Sequence, residues 1–376
     1  MEILVDRELP GAAVAFADFG TVRLFDGRTL GSAQLGAAEV LLVRSVTRVD
    51  GALLGGSRVR FVGTATAGID HIDKDWLARQ GIAFADAAGC NARAVAEHVA
   101  CCIHAHAARR GIAVGALSLG IVGCGHVGRE VQALARAMGL TVRVNDPPLG
   151  QSVDGIELVD LDAVLDCDIV SLHVPLVTAG AHPTRNLLDV ARIGRLARGT
   201  LVVNAARGGV LDETALLARL VDGDLAAGLD CWDGEPRVTP AVLAAATWAT
   251  PHIAGHSREA RARSTLLLHA ALGRWLGHAV PPPLDLLPAP VGTVELPPGG
   301  TPALLAHIHP LAAHTARLRA LGGLAADERA RLFDIQRRLY GLRREFGAYS
   351  VACPGADADT VAQLAVLGFA TDAAAN

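Results

Sequence analysis

The stretch Gly123-Cys124-Gly125-His126-Val127-Gly128, with Asp146 eighteen residues past its last glycine, constrains this chain more than any other feature. Before it, Leu117–Val122 is a short apolar run that reads as a buried strand. After it, Val127, Val131, Leu134, Ala135 and Met138 recur at helical spacing, and Thr141–Asn145 reads as a second strand ending at Asp146. Strand, glycine turn, helix, strand and acid follow in the order of a dinucleotide-binding unit. The glycines let the backbone turn tightly and approach a pyrophosphate, whose charge then rests on the helix N-terminus. Gly123, Gly125, His126, Val127 and Gly128 are therefore expected around the pyrophosphate, and Asp146 on the hydroxyls of the adenosine ribose. That acid would repel a 2′-phosphate, and Pro147-Pro148 follow it where an arginine would suit NADP. NAD is the expected cofactor.

At 376 residues the chain is long enough for two or three domains with substantial cores. Apolar residues make up 51% but aromatics only 4%, so those cores must be built from Ala, Val and Leu. No apolar run approaches the ~20 residues of a membrane span and no basic-then-apolar leader opens the chain, so a soluble, cytoplasmic protein is expected. The net charge of −4 with no basic face or tail argues against nucleic acid as a partner. The seven cysteines show no C-x-x-C pairing and read as buried free thiols. Lys74 is the only lysine, so any anion held by a cation must be held mainly by arginine. Lys74 itself sits in a charged Asp-Lys-Asp turn and is set aside.

Residues 1–94 alternate short apolar runs (Ile3–Val5, Val40–Val43, Arg60–Gly63, Ile82–Ala85) with helical patterns, the signature of parallel βα units. Ala92–Arg109 is a long helical stretch leading to the glycine motif. Further strands are expected at Ile169–His173, Thr200–Asn204, Leu225–Asp230 and Thr247–Ala249, with helices at Thr214–Val221 and from Ser257 to about Leu276. The fold class is therefore α/β, with two doubly wound parallel-sheet lobes and a small α+β C-terminal domain. The expected division gives residues 1–94 and 257–280 to a substrate lobe and 95–256 to the NAD lobe. A proline-rich linker follows at 281–290, then a separate block at 291–376 with an arginine-rich helix near Glu328–Phe346.

Arg207, Glu235 and His252 each follow an expected strand of the second lobe, the edge at which a doubly wound sheet keeps its ligand crevice. Moving hydride from a carbon bearing a hydroxyl to NAD needs a base for the hydroxyl proton, and histidine has the side chain nearest neutrality. A carboxylate beside it fixes the tautomer and stabilises the cation, and an arginine forks a substrate carboxylate. Glu235 also lies in Trp232-Asp233-Gly234-Glu235-Pro236, which would serve equally as a surface turn. His104, His106, His269, His307 and His309 fall on helical patterns and read as packing or surface residues.

These segments, with Ile3–Asp6, Val43–Thr47, Phe61–His71, Gly89–Ala92, Asn204–Gly208 and Pro251–Gly255, resemble the D-2-hydroxyacid dehydrogenase family. Within it they are most similar to the group that oxidises 4-phospho-D-erythronate at C2 on a route to pyridoxal phosphate. The resemblance implies Arg207, Glu235 and His252 as the catalytic set and Ser45 and Thr66 as substrate contacts. Arg44 is a natural partner for the substrate phosphate or carboxylate. It further implies cofactor contacts from Val174, Ala205, Ala206, Arg207, Asp230 (on the nicotinamide amide), Gly255 and His256, and a homodimer formed through the C-terminal block. Two positions depart from the family pattern: Val174 stands where threonine is common, and His256 where tyrosine is common. The sequence leaves open whether NAD is released each cycle or reoxidised in place by a 2-keto acid. Two rivals stay in view: the same chemistry on another phosphorylated acid such as 3-phosphoglycerate, and an NAD-sensing binding protein without turnover.

Overall fold

The computed structural model describes residues 1–150, 152–153, 155–278, 280–341 and 343–372. Two compact units make up the chain, one of Met1–Asn91 with Ser257–Ala289 and the other of Ala92–His256 with Pro290–Asn376. The first unit is built on five parallel strands: β1 (Glu2–Asp6), β2 (Thr21–Phe25), β3 (Val40–Val43), β4 (Phe61–Thr64) and β5 (Ala83–Asp86). Their order is β2-β1-β3-β4-β5, so the direction of winding reverses between β1 and β3. Alternate residues feed opposite faces, as the pleat requires. Leu4, Leu41, Val43 and Val62 belong to one core, and Ile3, Val5, Val40, Leu42 and Phe61 to the other. Burial on both faces is why these strands read as unbroken apolar runs. β2 was not expected from the sequence. It is an edge strand whose Thr21, Arg23 and Leu24 are exposed, so it lacks that signature.

The second unit holds β6 (Ser118–Val122), β7 (Thr141–Asn145), a short antiparallel hairpin of β8 (Ser152–Val153) and β9 (Ile156–Glu157), β10 (Ile169–Leu172), β11 (Leu201–Asn204), β12 (Ala226–Leu229) and β13 (Trp248–Ala249). Its main sheet is wholly parallel in the order β13-β12-β11-β10-β6-β7, reversing between β6 and β10. Helices Ala92–Arg110 and His126–Ala137 cover the face that presents Leu119, Ile121, Leu201 and Val203. The other face, with Val170, Leu172, Val202 and Leu229, is closed by the shorter helices Val190–Arg195, Glu213–Val221 and Pro240–Ala245.

The tail differs from the expected separate block. Its three parallel strands, β14 (Gly292–Glu295), β15 (Tyr349–Ala352) and β16 (Ala370–Asp372), form their own small sheet. Its buried side chains, however, finish the cores of the dinucleotide fold. Leu304, Leu305, Phe346 and Phe369 join Leu119 and Ile121, while Leu318 and Phe333 join Leu172 and Leu229. The arginine-rich helix is also shorter than expected, ending at Arg338. Nor is the proline-rich stretch a loose linker: Val280 and Leu286 pack on the first unit's core, and Leu286 lies over Gly11. Residue 279 and residues 373–376, which the expected boundaries included, lie outside the described residues.

Candidate active site

The glycine motif sits at the reversal of the second sheet, where the carboxyl ends of β6 and β10 part and leave a crevice. Gly123 has φ +100°, and a Cβ there would come within 2.8 Å of the His173 backbone and 2.9 Å of Val174 Cγ1. A side chain at Gly128 would overlap the Gly123 carbonyl oxygen, so the helix can start this close to β6 only with glycine there. Gly125 is different: a Cβ would meet nothing within 4 Å. It is the N-cap of the twelve-residue helix His126–Ala137, with no side chain capping the free N–H groups. Gly125 and His126 are exposed and Val127 half-buried, the arrangement an anion at a helix N-terminus requires.

Asp146, at the end of β7, accepts from the Cys124 N–H through Oδ2 at 2.7 Å. That bond ties the acid to the glycine turn and leaves Oδ1 for ribose hydroxyls. A cavity of about 320 Å³ opens beside it, lined by Asn145, Asp146, Pro147, Leu158, Val159 and Asp160 among others. Across the crevice, His173 Nε2 bonds Ser171 Oγ at 2.8 Å, and burial of the ring drives its pKa down to about 3. The imidazole is thus neutral, and its buried Nδ1 has no partner among the described residues. An uncapped helix, an open glycine and an acid tied to the glycine turn fit a dinucleotide. Among the described residues no group of three His, Cys, Asp or Glu side chains is placed to hold a metal ion, and no helix is long and apolar enough to cross a membrane.

Farther along the same sheet edge, His252 Nδ1 and Glu235 Oε1 are 2.5 Å apart. Glu235 is pulled two ways. Burial raises its pKa, but the His252 hydrogen bond and charge, the Arg337 charge and the Trp232 N–H prevail, and the carboxyl ends below its ordinary range. An ionised Glu235 holds the proton on Nδ1 and leaves Nε2 as the basic nitrogen. The backbone of His252 has φ +56°, rare for a residue with a Cβ and characteristic of sites where the surroundings dictate the conformation. Asp230, 1% exposed at the end of β12, dictates it. Its backbone carbonyl accepts from His252 N at 2.8 Å. Its carboxylate accepts from Thr250 Oγ1 (2.6 Å), Ile253 N (2.7 Å) and Ala254 N (2.9 Å). Sequence reasoning gave Asp230 a cofactor contact and missed this grip on the loop that carries His252.

Arg207 follows β11 and is half-buried, and its NH1 donates to the Ala206 carbonyl at 2.7 Å. Asn204 braces the turn from beneath, accepting from Ala206 N and donating to the Arg207 carbonyl at 2.9 Å. Gly208 then lets this turn press on the next, because a Cβ there would overlap the Trp232 carbonyl. That close approach sets the Arg207 and Glu235 turns side by side. Ala205 and Gly255 are half-buried and Ala206 is buried. Val174 packs over Gly123, and His256 donates its backbone N–H to the Ile253 carbonyl at 2.9 Å. Glu213, which the sequence did not single out, accepts from Asp233 N at 2.7 Å beneath the Glu235 turn.

In the first unit, Arg44 and Ser45 follow β3 and Thr66 follows β4, linked by an Ala65 N to Val43 O bond of 2.9 Å. Ser45 is exposed in its turn. The Thr66 hydroxyl is engaged in its own loop, donating to the Gly68 carbonyl (2.7 Å) while Thr64 Oγ1 lies at 2.8 Å. Thr64 Oγ1 in turn meets His71 Nε2 at 2.9 Å.

The D-isomer specific 2-hydroxyacid dehydrogenase NAD-binding domain family matches residues 87–254. An erythronate-4-phosphate dehydrogenase of Pseudomonas aeruginosa is 43% identical over 94% of this chain and 96% of that protein. One of Marinobacter nauticus is 41% identical over 98% and 99%. Among solved structures, a glyoxylate reductase from Paecilomyes thermophila matches 76% of this chain and 98% of its own at 26% identity and a TM-score of 0.59. With the glycine turn, its acid and the Glu235–His252 pair in place, the chain belongs to the erythronate-4-phosphate dehydrogenases, within the D-2-hydroxyacid dehydrogenase family.

Proposed function

We propose that the chain oxidises 4-phospho-D-erythronate at C2 to (R)-3-hydroxy-2-oxo-4-phosphooxybutanoate, a step toward pyridoxal 5′-phosphate. The observation that carries the chemistry is the 2.5 Å pair of Glu235 and His252 on a loop fixed by Asp230. NAD, when bound, supplies the hydride acceptor. His252 Nε2 takes the C2 hydroxyl proton, and Glu235 orients the ring and stabilises the imidazolium as it forms. Arg207 forks the C1 carboxylate and polarises the neighbouring oxygen. Gly123, Gly125, His126, Val127 and Gly128 hold the pyrophosphate, Asp146 the adenosine ribose, and Val174, Ala205, Ala206, Gly255 and His256 the rest of the cofactor. Asp230 has lone-pair capacity left on Oδ2, which accepts one bond, for the nicotinamide amide. Arg44, Ser45 and Thr66 contact the substrate. Seven cysteines, all buried and none in a disulfide, suit a reducing cytoplasm, and the tail is read as the surface of a homodimer.

Single-turnover oxidation of 4-phospho-D-erythronate tests this reading, with 3-phosphoglycerate as the rival acid and with or without an added 2-keto acid. NADH should form with the erythronate ester, and His252→Ala should lose roughly 10²–10⁴ in rate, the contribution of a general base. Sustained turnover only with the keto acid identifies that acid as the final electron acceptor. Reduction with 3-phosphoglycerate alone would overturn the substrate, and reduction with neither acid would favour an NAD sensor.

A further inference from the structure

The first unit has its own topological reversal, between β1 and β3, and open α/β sheets bind ligands outside the carboxyl ends of the strands at such a point. What stands there is a pair of arginines. Asp6 closes β1 and is fully buried, and β1 and β3 run side by side with Val5 opposite Leu42. Arg44, one residue past β3, reaches back so that its Nε lies 3.1 Å from Asp6 Oδ2. Gly27 makes room for this pair, since a Cβ there would overlap Asp6 Oδ2. Asp6 Oδ1 accepts from Glu8 N at 2.9 Å, which fixes the loop after β1. The Glu8 carbonyl of that loop accepts from Arg261 NH2, on the first turn of the Arg258–Leu276 helix.

One short loop thus brings two guanidiniums toward the buried Asp6 carboxylate, already engaged, and the exposed Glu8 carboxylate, whose charges do not offset burial and the Arg44 charge at Arg261. The crowding has an electrostatic trace: burial, followed by the Arg44 charge, lowers the Arg261 pKa. Two cations held together by backbone and a buried acid are destabilised unless an anion joins them. The terminal nitrogens of Arg44 have no bond among the described residues, and its side chain is 29% exposed.

We propose that Arg261 joins Arg44 in a two-arginine site for a phosphate monoester dianion at the β1/β3 reversal. The pair makes Arg261 a specificity-determining residue for the phosphorylated end of the substrate. This rests on the reading that the substrate is a phosphorylated hydroxy acid, but the site lies wholly within the first unit. Arginine suits it because its planar fork pairs two N–H groups with two phosphate oxygens, and the chain's single lysine, Lys74, lies exposed on a different helix.

The test compares wild type, Arg261→Met and Arg261→Lys in two readouts. In turnover, Arg261→Met should raise KM for 4-phospho-D-erythronate roughly 10- to 100-fold with little change in kcat, as expected for a lost charge-assisted bond. Arg261→Lys should recover part of the loss, and the low activity on unphosphorylated erythronate should be unchanged. In binding without turnover, inorganic phosphate should stabilise the wild type against heat and Arg261→Met much less. An unchanged KM for the ester in Arg261→Met would overturn the proposal. An equal KM rise for both acids would also overturn it, because the effect would then not concern the phosphate. If the ester is not oxidised at all yet phosphate stabilisation still depends on Arg261, the site stands and the assigned substrate falls.

Discussion

Two carboxyl groups that accept from neighbouring N–H groups of one turn, Glu235 from Trp232 and Glu213 from Asp233, are driven in opposite directions by their surroundings. Glu235 falls below the ordinary carboxylate range because its bond to His252 outweighs burial, so its contribution to stability is present at neutral pH and is lost as acid protonates it. Among the described residues Glu213 has no cationic partner. Burial, reinforced by the charges of Asp233 and Glu235, pushes its pKa up to about 7. A folded-state value above the unfolded one stabilises at low pH and is lost as pH rises through that value. Above neutrality the folded chain therefore holds a charge it would better do without. Glu213→Gln keeps an oxygen for the Asp233 N–H and removes the charge. Its melting temperature should match wild type near about pH 4, below the unfolded value, and exceed it by on the order of a few degrees near about pH 9. A difference that stays flat with pH would mean that Glu213 ionises freely in the folded chain.

At the scale of elements, the loop that carries His252 is held by a strand end and not by its own sequence. Asp230 terminates β12, and its carboxylate satisfies two backbone N–H groups and one hydroxyl of the loop from Thr250 to Ala254. Arg343, from the tail, adds a 3.3 Å bond to the Ala254 carbonyl while paired at 2.7 Å with the fully buried Glu97. Asp230→Ala would strand the donors, at a cost of ~1–3 kcal/mol for each buried group left unsatisfied. Urea unfolding should show that loss, and kcat should fall with it as His252 relaxes from φ +56°. Wild-type stability in Asp230→Ala would show that the loop is held by other contacts. Much of this architecture was legible from residue order. β3, β6, β10 and β11 are buried on both faces and read as apolar runs, and Arg207, Glu235 and His252 follow strands whose ends the pattern located. The exposed edge strand β2 carries no such pattern. The grips of Asp230 and Arg343 also left none, because a buried carboxylate or guanidinium bonded to distant backbone has no periodicity; Arg343 also reaches Ala94, 249 residues away.

For the whole molecule, the tail's place in the second unit changes how the proposed dimer can be tested. Removing residues 290–376 would strip Leu304, Leu305, Phe346 and Phe369 from a core they share with β6 and would undo the Arg343–Glu97 pair. A truncated chain should therefore misfold, and its failure to dimerise would say nothing about the surface. Point changes on that surface are the better probe. Leu339 is 71% exposed beyond the end of the Ala326–Arg338 helix, and Val291 is 45% exposed just before the edge strand β14. Water-exposed large apolar residues at element ends contribute little to the fold that bears them, but they can fill the centre of a contact between copies. The wild-type chain should sediment at twice the chain mass, and Leu339→Asp with Val291→Asp should sediment as a single chain. The variant should still be stabilised by NAD through mass action, by ~2.7 kcal/mol at a hundredfold excess over its Kd, because the glycine turn and Asp146 lie on other elements. Loss of both the dimer and NAD stabilisation would indicate that the changes damaged the fold. A wild-type chain that sediments alone would remove the tail from any role in assembly and leave it with the one its buried residues already show, closing the core behind the catalytic loop.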